Sequence, residues 1–267
     1  MLTDVHCHPF DLAGCLQNAE KERRRLSVIA AASACRFEEF AHNENLAHRA
    51  ASENTVPLLP CFAIHPQMFR GEKGQKEAGD EHLSVLDKLA SEKRIAAVGE
   101  CGFDLFNETF RETEALQEKF FKAQTEIALR FNLPVVLHVR RAMHKIFAVS
   151  NILKKCRAVI FHSWSGALEE GEALLRRGVN AYFSFGNTIL LNHKQAIRCC
   201  ALFPADRLLT ETDAPFQPQR GENFSCWKNL PQIIETAAAL RHEAGSSDSI
   251  KLESQIETNF KNIFEIN

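Results

Sequence analysis

Ile95-Ala96-Ala97-Val98-Gly99-Glu100 and Pro134-Val135-Val136-Leu137-His138 are two strand-length apolar runs, and the segment between them carries Gln117, Phe120, Phe121, Gln124, Ile127, Ala128 and Phe131 on one stripe. That i, i+3, i+4, i+7 spacing is the mark of an amphipathic helix. A strand, a crossover helix and a second strand place the two strands parallel. Working outward, the same alternation fills the chain. Further candidate strands are Leu2–His6, Ser27–Ala31, Val56–Ala63, Ala158–His162, Asn180–Ser184 and Leu208–Thr212, so that with Ile95–Glu100 and Pro134–His138 there are eight. Helical patterns run through Phe37–Ala51, Glu81–Glu92, Met143–Lys155, Leu168–Arg177, His193–Leu202, Leu230–Arg241 and Glu253–Phe264. Eight such units in 267 residues predict an α/β fold of the (β/α)8 TIM-barrel kind, which typically uses about 250 residues as a single domain. An open doubly wound sheet is the alternative, weakened because no Gly-x-Gly-x-x-Gly follows the first strand. The polar stretches Phe69–Asp80 and Gly245–Ser249 read as exposed loops, too short to divide domains, so residues 1–267 are expected to form one unit.

Composition narrows the class. Hydrophobic residues make up 45% and charged residues 25% of the chain, the balance of a globular protein. No run approaches the roughly 20 apolar residues of a membrane span, and Met1-Leu2-Thr3-Asp4 lacks the character of an export signal. Nine cysteines, odd in number and without Cys-x-x-Cys, read as reduced thiols in a cytoplasmic protein. A net charge of −2 provides no global basic field, so a nucleic-acid partner would be held by local patches or metal ions. The run Lys21-Glu22-Arg23-Arg24-Arg25 precedes the second strand and is expected to be a solvated face on the far rim.

Metal-ligand residue types recur at the strand ends. The first strand ends Asp4-Val5-His6-Cys7-His8; side chains two apart share a face, so His6 and His8 form a pre-arranged imidazole pair. The fourth ends at Glu100, the fifth at His138, the sixth at His162, and the eighth runs through Glu211 to Asp213. Barrel active sites lie on the carboxyl-terminal rim, built from several strand ends. One histidine or carboxylate there is ordinarily a hydrogen-bonded rim residue or a helix cap. The joint set differs, because buried carboxylates are costly unless paired and divalent cations satisfy carboxylates and imidazoles together. His42, His48, His82, His144, His193 and His242 fall in helices or loops and are read as structural. Cys7 and Cys101 are expected to face away from the ligand positions by alternation.

The order Asp4-x-His6-x-His8, Ala63-Ile64-His65-Pro66, Gly99-Glu100-x-Gly102-x-Asp104, His138-x-Arg140-x-Ala142, His162-x-x-x-Gly166 and Glu211-Thr212-Asp213-Ala214-Pro215 resembles the TatD family of metal-dependent deoxyribonucleases, within the amidohydrolase-like metallohydrolases. The resemblance implies a two-metal site hydrolysing DNA phosphodiesters, with a 3′–5′ exonuclease as one form of the activity. It implies His6, His8 and Asp213 at one metal, His138 and His162 at the other, Glu100 bridging both, and His65 at the scissile phosphate. Three segments depart from the family's pattern: Phe103–Phe106 lacks the usual Tyr, Ser163-Trp164-Ser165 stands where Cys-Phe-Thr is commoner, and Arg220-Gly221-Glu222-Asn223-Phe224 lacks Glu-Pro. The metal positions are intact; the substrate-facing loops differ.

Mixed imidazole and carboxylate ligation admits Mg2+, Mn2+ or Zn2+. By position, Asp213 is expected to accept the proton of the attacking water, and Glu211 to orient a ligand from behind. Arg140 and Arg141, with Arg70, Lys73, Lys76, Arg220 and Lys228, are expected to steer DNA, with RNA as a further candidate substrate. Trp164 is weighed evenly between stacking a base and packing the loop. No membrane and no obligate protein partner are expected. The rival function is a metallohydrolase of a small C–N, lactone or phosphoester substrate, since one rim hosts many chemistries. A non-catalytic binding module is a second rival.

Overall fold

In the computed structural model, which describes residues 1–69, 75–246 and 251–266, eight strands form one sheet in chain order. They are β1 (Leu2–Cys7), β2 (Val28–Ala32), β3 (Leu58–Phe62), β4 (Ala97–Asp104), β5 (Val135–Arg140), β6 (Val159–Phe161), β7 (Ala181–Phe185) and β8 (Leu208–Thr210). Every neighbouring pair from β1 to β8 is parallel. The helices are α1 (Pro9–Cys15), α2 (Ala19–Arg25), α3 (Phe37–Ser52), α4 (Gln75–Ser91), α5 (Glu108–Arg111), α6 (Glu114–Arg130), α7 (Met143–Leu153), α8 (Leu168–Arg176), α9 (Asn187–Leu190), α10 (Lys194–Leu202), α11 (Leu230–Glu243) and α12 (Leu252–Phe264). The fold is a (β/α)8 barrel.

Closure falls between β8 and β1, and side chains carry much of it. Thr210 Oγ1 donates to Thr3 O at 2.8 Å, and the buried Asp4 carboxylate accepts from the Thr212 hydroxyl at 2.6 Å and the Thr212 N–H at 3.0 Å. The Asp213 N–H then donates to His6 O at 3.0 Å. Burial pushes the Asp4 carboxyl up to about 7 against the pull of these hydrogen bonds.

One apolar cluster takes a residue from every strand (Val5, Ile29, Cys61, Ala97, Val136, Ile160, Tyr182, Leu209), which only a barrel interior permits. Phe260 and Ile263 of α12 plug its lower end, and Asn259 holds that helix by donating to Ala205 O and Leu208 O at 2.9 and 2.8 Å. A larger cluster, including Val98, Phe103, Leu137, Phe161 and Phe183, fills the space between strands and helices.

Two irregularities interrupt the ladders. Asp4 and Cys7 of β1 pair with Ala30 and Ala32 of β2, three steps against two. Gly99 and Cys101 of β4 pair with Val136 and Leu137 of β5, two steps against one. Each β-bulge shifts the inward–outward alternation by one residue. Ala97 packs in the interior while Val98, Cys101 and Phe103 pack outside, so the bulge at Glu100 turns that carboxylate into the mouth of the barrel.

Three expectations need correction. Glu100 lies in the middle of β4 rather than at its end, because the strand continues to Asp104. Helix α4 begins at Gln75, inside the stretch expected to be a loop; Arg70, Lys73 and most of the second expected loop lie outside the described residues. Arg23 is not solvated: it is fully buried and donates to Val28 O, Val56 O and Pro57 O at 2.7–2.9 Å, with Glu20 as its ion-pair partner. All nine cysteines are free thiols.

Gly102 pairs with His138 across β4 and β5. Its φ of +137° disfavours any L side chain, and a Cβ there would lie 2.1 Å from His138 O. Gly102→Ala should therefore cost about 2–4 kcal/mol, lowering Tm by roughly 5–15 °C in thermal unfolding followed by circular dichroism. An unchanged Tm would mean that this close approach does not constrain the β4–β5 register.

Candidate metal centre and active site

Every histidine and carboxylate expected on the rim reaches one small volume. The Nε2 atoms of His6 and His8 are 3.1 Å apart. Glu100 Oε2 lies 3.2 Å from His6 Nε2, while its Oε1 lies 2.7 Å from His138 Nδ1, 3.2 Å from His162 Nε2 and 3.3 Å from His65 Nε2. Asp213 Oδ1 is 3.5 Å from both His6 Nε2 and His8 Nε2. Two ligand atoms about 2.1 Å from one cation stand roughly 3.0–3.4 Å apart at right-angle to tetrahedral geometry. The nitrogen and oxygen donors here have that spacing, with an N/O character that suits divalent cations.

Distances alone gather the donors as His6–His8–Glu100, His6–His162–Asp213 and His65–Glu100–His138. This differs from the partition the resemblance implies, since His162 stands nearer His6 and Asp213, and His65 beside His138. The groups on the far side of each ring discriminate between them. His138 Nε2 faces Asp104 Oδ2 at 3.1 Å and His162 Nδ1 faces Glu211 Oε1 at 3.3 Å. A carboxylate behind each ring directs the outer nitrogen's proton away from the site, so that a cation displacing the proton on the nitrogen that faces Glu100 would find a lone pair there. His65 is the reverse. Its Nδ1 accepts from the Gln67 N–H at 3.1 Å, which in the neutral ring leaves the proton on Nε2, the atom facing the site. In that tautomer His65 presents a donor to Glu100, 3.3 Å away.

A second layer fixes the rest. Ser33 Oγ is 3.0 Å from His6 Nδ1, Gln67 Nε2 donates to Asp104 Oδ2 at 2.7 Å, Gln217 Nε2 donates to Asp213 Oδ2 at 2.6 Å, and the Ser184 hydroxyl donates to Glu211. Asp213 has φ +53°, a conformation that aspartate tolerates better than most residues. Of this layer, the sequence reading reached only Glu211. Asp104 was legible: once Glu100 faces inward, alternation also points Asp104 inward, two steps beyond Gly102. Ser33 and Gln217 sit in loops and Gln67 in the short 3-10 turn Pro66–Phe69, all without a recognisable spacing.

The electrostatics follow from burial and crowding. Glu100 is 5% exposed; burial alone would raise its pKa, but His65, His162, His6 and the His138 hydrogen bond hold it well below the carboxylate range. Burial, aided by His162, lowers His6 and keeps it neutral. His162, despite burial, is pushed up to about 10 by Glu211 and Glu100, and His138 is raised by Asp104 and Glu100.

The steering groups separate. Arg140 and Arg141 reach the rim beside Phe106. Lys228 instead pairs with Glu22 at 2.7 Å. Trp164 is not a base platform: it is buried, with Phe161, Phe183 and Phe203 around it at ring-centroid distances of 4.7–6.0 Å. Cys7 and Cys101 pack in outer clusters, away from the donors.

Fold and site together define the class: a (β/α)8 metal-dependent hydrolase. A family model described as TatD related DNase matches residues 3–265, and the chain belongs to that family, as a hydrolase of nucleic-acid phosphodiester bonds. The 3′-5′ ssDNA/RNA exonuclease TatD of Cronobacter sakazakii (strain ATCC BAA-894) is 34% identical over 197 residues, covering 69% of this chain and 71% of that one. Its counterpart in Escherichia fergusonii is 31% identical over 214 residues, 76% of each chain. Among solved structures, YJJV, a TatD homologue from Escherichia coli K12, superposes with a TM-score of 0.81 at 24% identity over 100% of this chain and 98% of that one. A TatD family hydrolase from Entamoeba histolytica gives 0.79 at 15% identity over 99% and 98%.

The surroundings of His65 and His138 separate two variants. His65→Ala should leave metal content and Tm unchanged and lower kcat/KM for phosphodiesters on the order of 10–10³-fold, as when one donor to developing charge is lost. Asp104→Asn should lower metal content on the order of 10-fold or more by disturbing the His138 ring. Metal analysis of the two purified variants beside their kinetics checks this, and metal loss in the His65 variant would make that residue a ligand.

Proposed function

We propose that this chain removes nucleotides from the 3′ end of single-stranded DNA, and of RNA, using two divalent cations (Mg2+, Mn2+ or Zn2+) held by His6, His8, Glu100, His138, His162 and Asp213. One unit of residues 1–267, working in the cytoplasm without a second protein, carries the activity. The supporting observation is the convergence of four imidazoles on two carboxylates, with His6, His138 and His162 at 2.7–3.2 Å from Glu100 and His6 and His8 at 3.5 Å from Asp213. Polarity and strand preference come from the activity named for the relatives in Cronobacter sakazakii and Escherichia fergusonii.

Cations held by His6, His8, Glu100, His138, His162 and Asp213 would supply the positive charge that acidifies a nearby water and offsets charge developing on the phosphate. The chain's own groups do the rest. Asp213, with one oxygen held by Gln217 and the other free toward His6 and His8, accepts the proton of the attacking water. Glu100 reaches both halves of the donor set with its two oxygens and holds them at fixed separation. His65 Nε2–H donates to a phosphate oxygen. Arg140, exposed at the end of β5, draws the next phosphate toward the mouth. Water adds to phosphorus, the P–O bond to the neighbouring nucleotide breaks, and the leaving oxygen takes a proton from solvent.

Chelator-treated protein should lose hydrolysis of end-labelled single-stranded oligonucleotides, and added Mg2+, Mn2+ or Zn2+ should restore it. Product ladders from 5′-labelled strands should shorten one nucleotide at a time, with blunt duplexes resistant. Full activity in metal-free protein would overturn the proposed mechanism; ladders that shorten only from the 5′ end would overturn the polarity.

A further inference from the structure

Of twenty phenylalanines, three are exposed, and all three follow strands onto the rim that carries the site: Phe10 after β1, Phe106 after β4 and Phe216 after β8. Among the described residues, the other exposed large apolar ones, Met1 and Leu202, lie before β1 and at the end of α10, on the far rim. A single exposed phenylalanine needs no explanation; three confined to one rim point to a ligand.

Two of the rings are held in fixed relation to the reacting centre. The Phe216 N–H donates to Asp213 O at 2.7 Å, its carbonyl accepts from the Ser225 hydroxyl, and its ring meets His8 edge-on at 5.1 Å. The Phe106 N–H donates to Asp104 Oδ1 at 2.9 Å, and the Arg140 and Arg141 guanidiniums lie 3.7 and 4.7 Å from its ring centroid. In a ring of eight strands, β4 and β8 stand opposite each other, so the two phenylalanines flank the donor set from opposite sides.

We infer that Phe216 stacks the base on one side of the scissile phosphate and that the layer of Phe106 with the Arg140 guanidinium on its ring face at 3.7 Å stacks the base on the other, an inference that rests on the phosphodiesterase reading above and gives it a physical basis for strand choice. Every base has a π-face, so such platforms accept any sequence. Bases in a duplex have their faces covered by neighbours and cannot engage both rings, so the platforms select unpaired ends. The two guanidiniums on Phe106 add charge for the adjoining phosphate.

Oligonucleotides with a single abasic residue on one or the other side of the scissile linkage test this. Phe216→Ala removes a ring that is 49% exposed, and thermal unfolding with metal analysis verifies its fold and the His8 side of the site. On intact single strands it should lower kcat/KM roughly tenfold or more, mainly through KM. On the strand abasic at the matching position, variant and wild type should be equally slow, and Phe216→Trp should restore the intact-strand rate. Phe106→Ala should show the same pattern with the abasic residue on the other side. Equal losses on intact and abasic strands, or no loss on either, would overturn the stacking inference and leave the phosphodiesterase reading standing. Wild-type protein that cleaves no oligonucleotide with any of the three cations would remove both.

Discussion

A buried carboxylate surrounded by imidazoles organises this protein. An ionised glutamate at the position of Glu100 would be strongly disfavoured in an apolar barrel mouth, and it is tolerated because His6, His65, His138 and His162 come within 3.3 Å of its two oxygens. Those four rings arrive on four different strands or their loops. Each is in turn positioned by a neighbour: Ser33, the Gln67 backbone, Asp104 and Glu211. Removing the central charge would leave a set of donors with nothing to converge on. The requirement to compensate Glu100 therefore reaches from β1 to the loop after β8.

The backbone meets that requirement with two bulges. A parallel strand that alternates strictly would send Val98 and Glu100 to the same outer face. The extra residue in β4 separates them, keeping Val98 with the helix layer and turning Glu100 to the mouth. In β1 the slip lets Val5 pack in the interior while His6, the next residue, also points inward. Both departures from regular pairing coincide with candidate ligands. Bulges recur beside active sites because one unpaired residue can re-aim a side chain without dissolving the sheet.

Much of this was readable from residue types and spacing. The eight strand–helix units follow from apolar period, and His6, His8, His138 and His162 from their place at or near strand ends. What could not be read was register. Nothing in Val98-Gly99-Glu100-Cys101 announces a slip, so the strand was expected to stop at Glu100, and Asp104, four residues further on the same face, went unassigned. Arg23 was misjudged because charge runs are usually solvated, and only the fold brings the carbonyls of Val28, Val56 and Pro57 around its guanidinium. Trp164 could not be decided locally, since its packing partners Phe183 and Phe203 are distant in sequence. The orientation of His65 depended on one backbone N–H, which no side-chain pattern encodes.

The seam between the first and last strands has a temporal meaning. His6 and His8 leave β1 within the first eight residues, while Asp213 follows β8, some two hundred positions later, and the Asp4–Thr212 and His6–Asp213 hydrogen bonds join the two ends. Contacts of such long sequence separation form late, because closing the intervening loop costs entropy before the contact repays it. A ribosome-bound chain emerging from its amino terminus exposes the imidazoles long before the carboxylate that completes them. A half-made molecule thus lacks the assembled donor set, which is complete only once the segment after β8 has closed against β1.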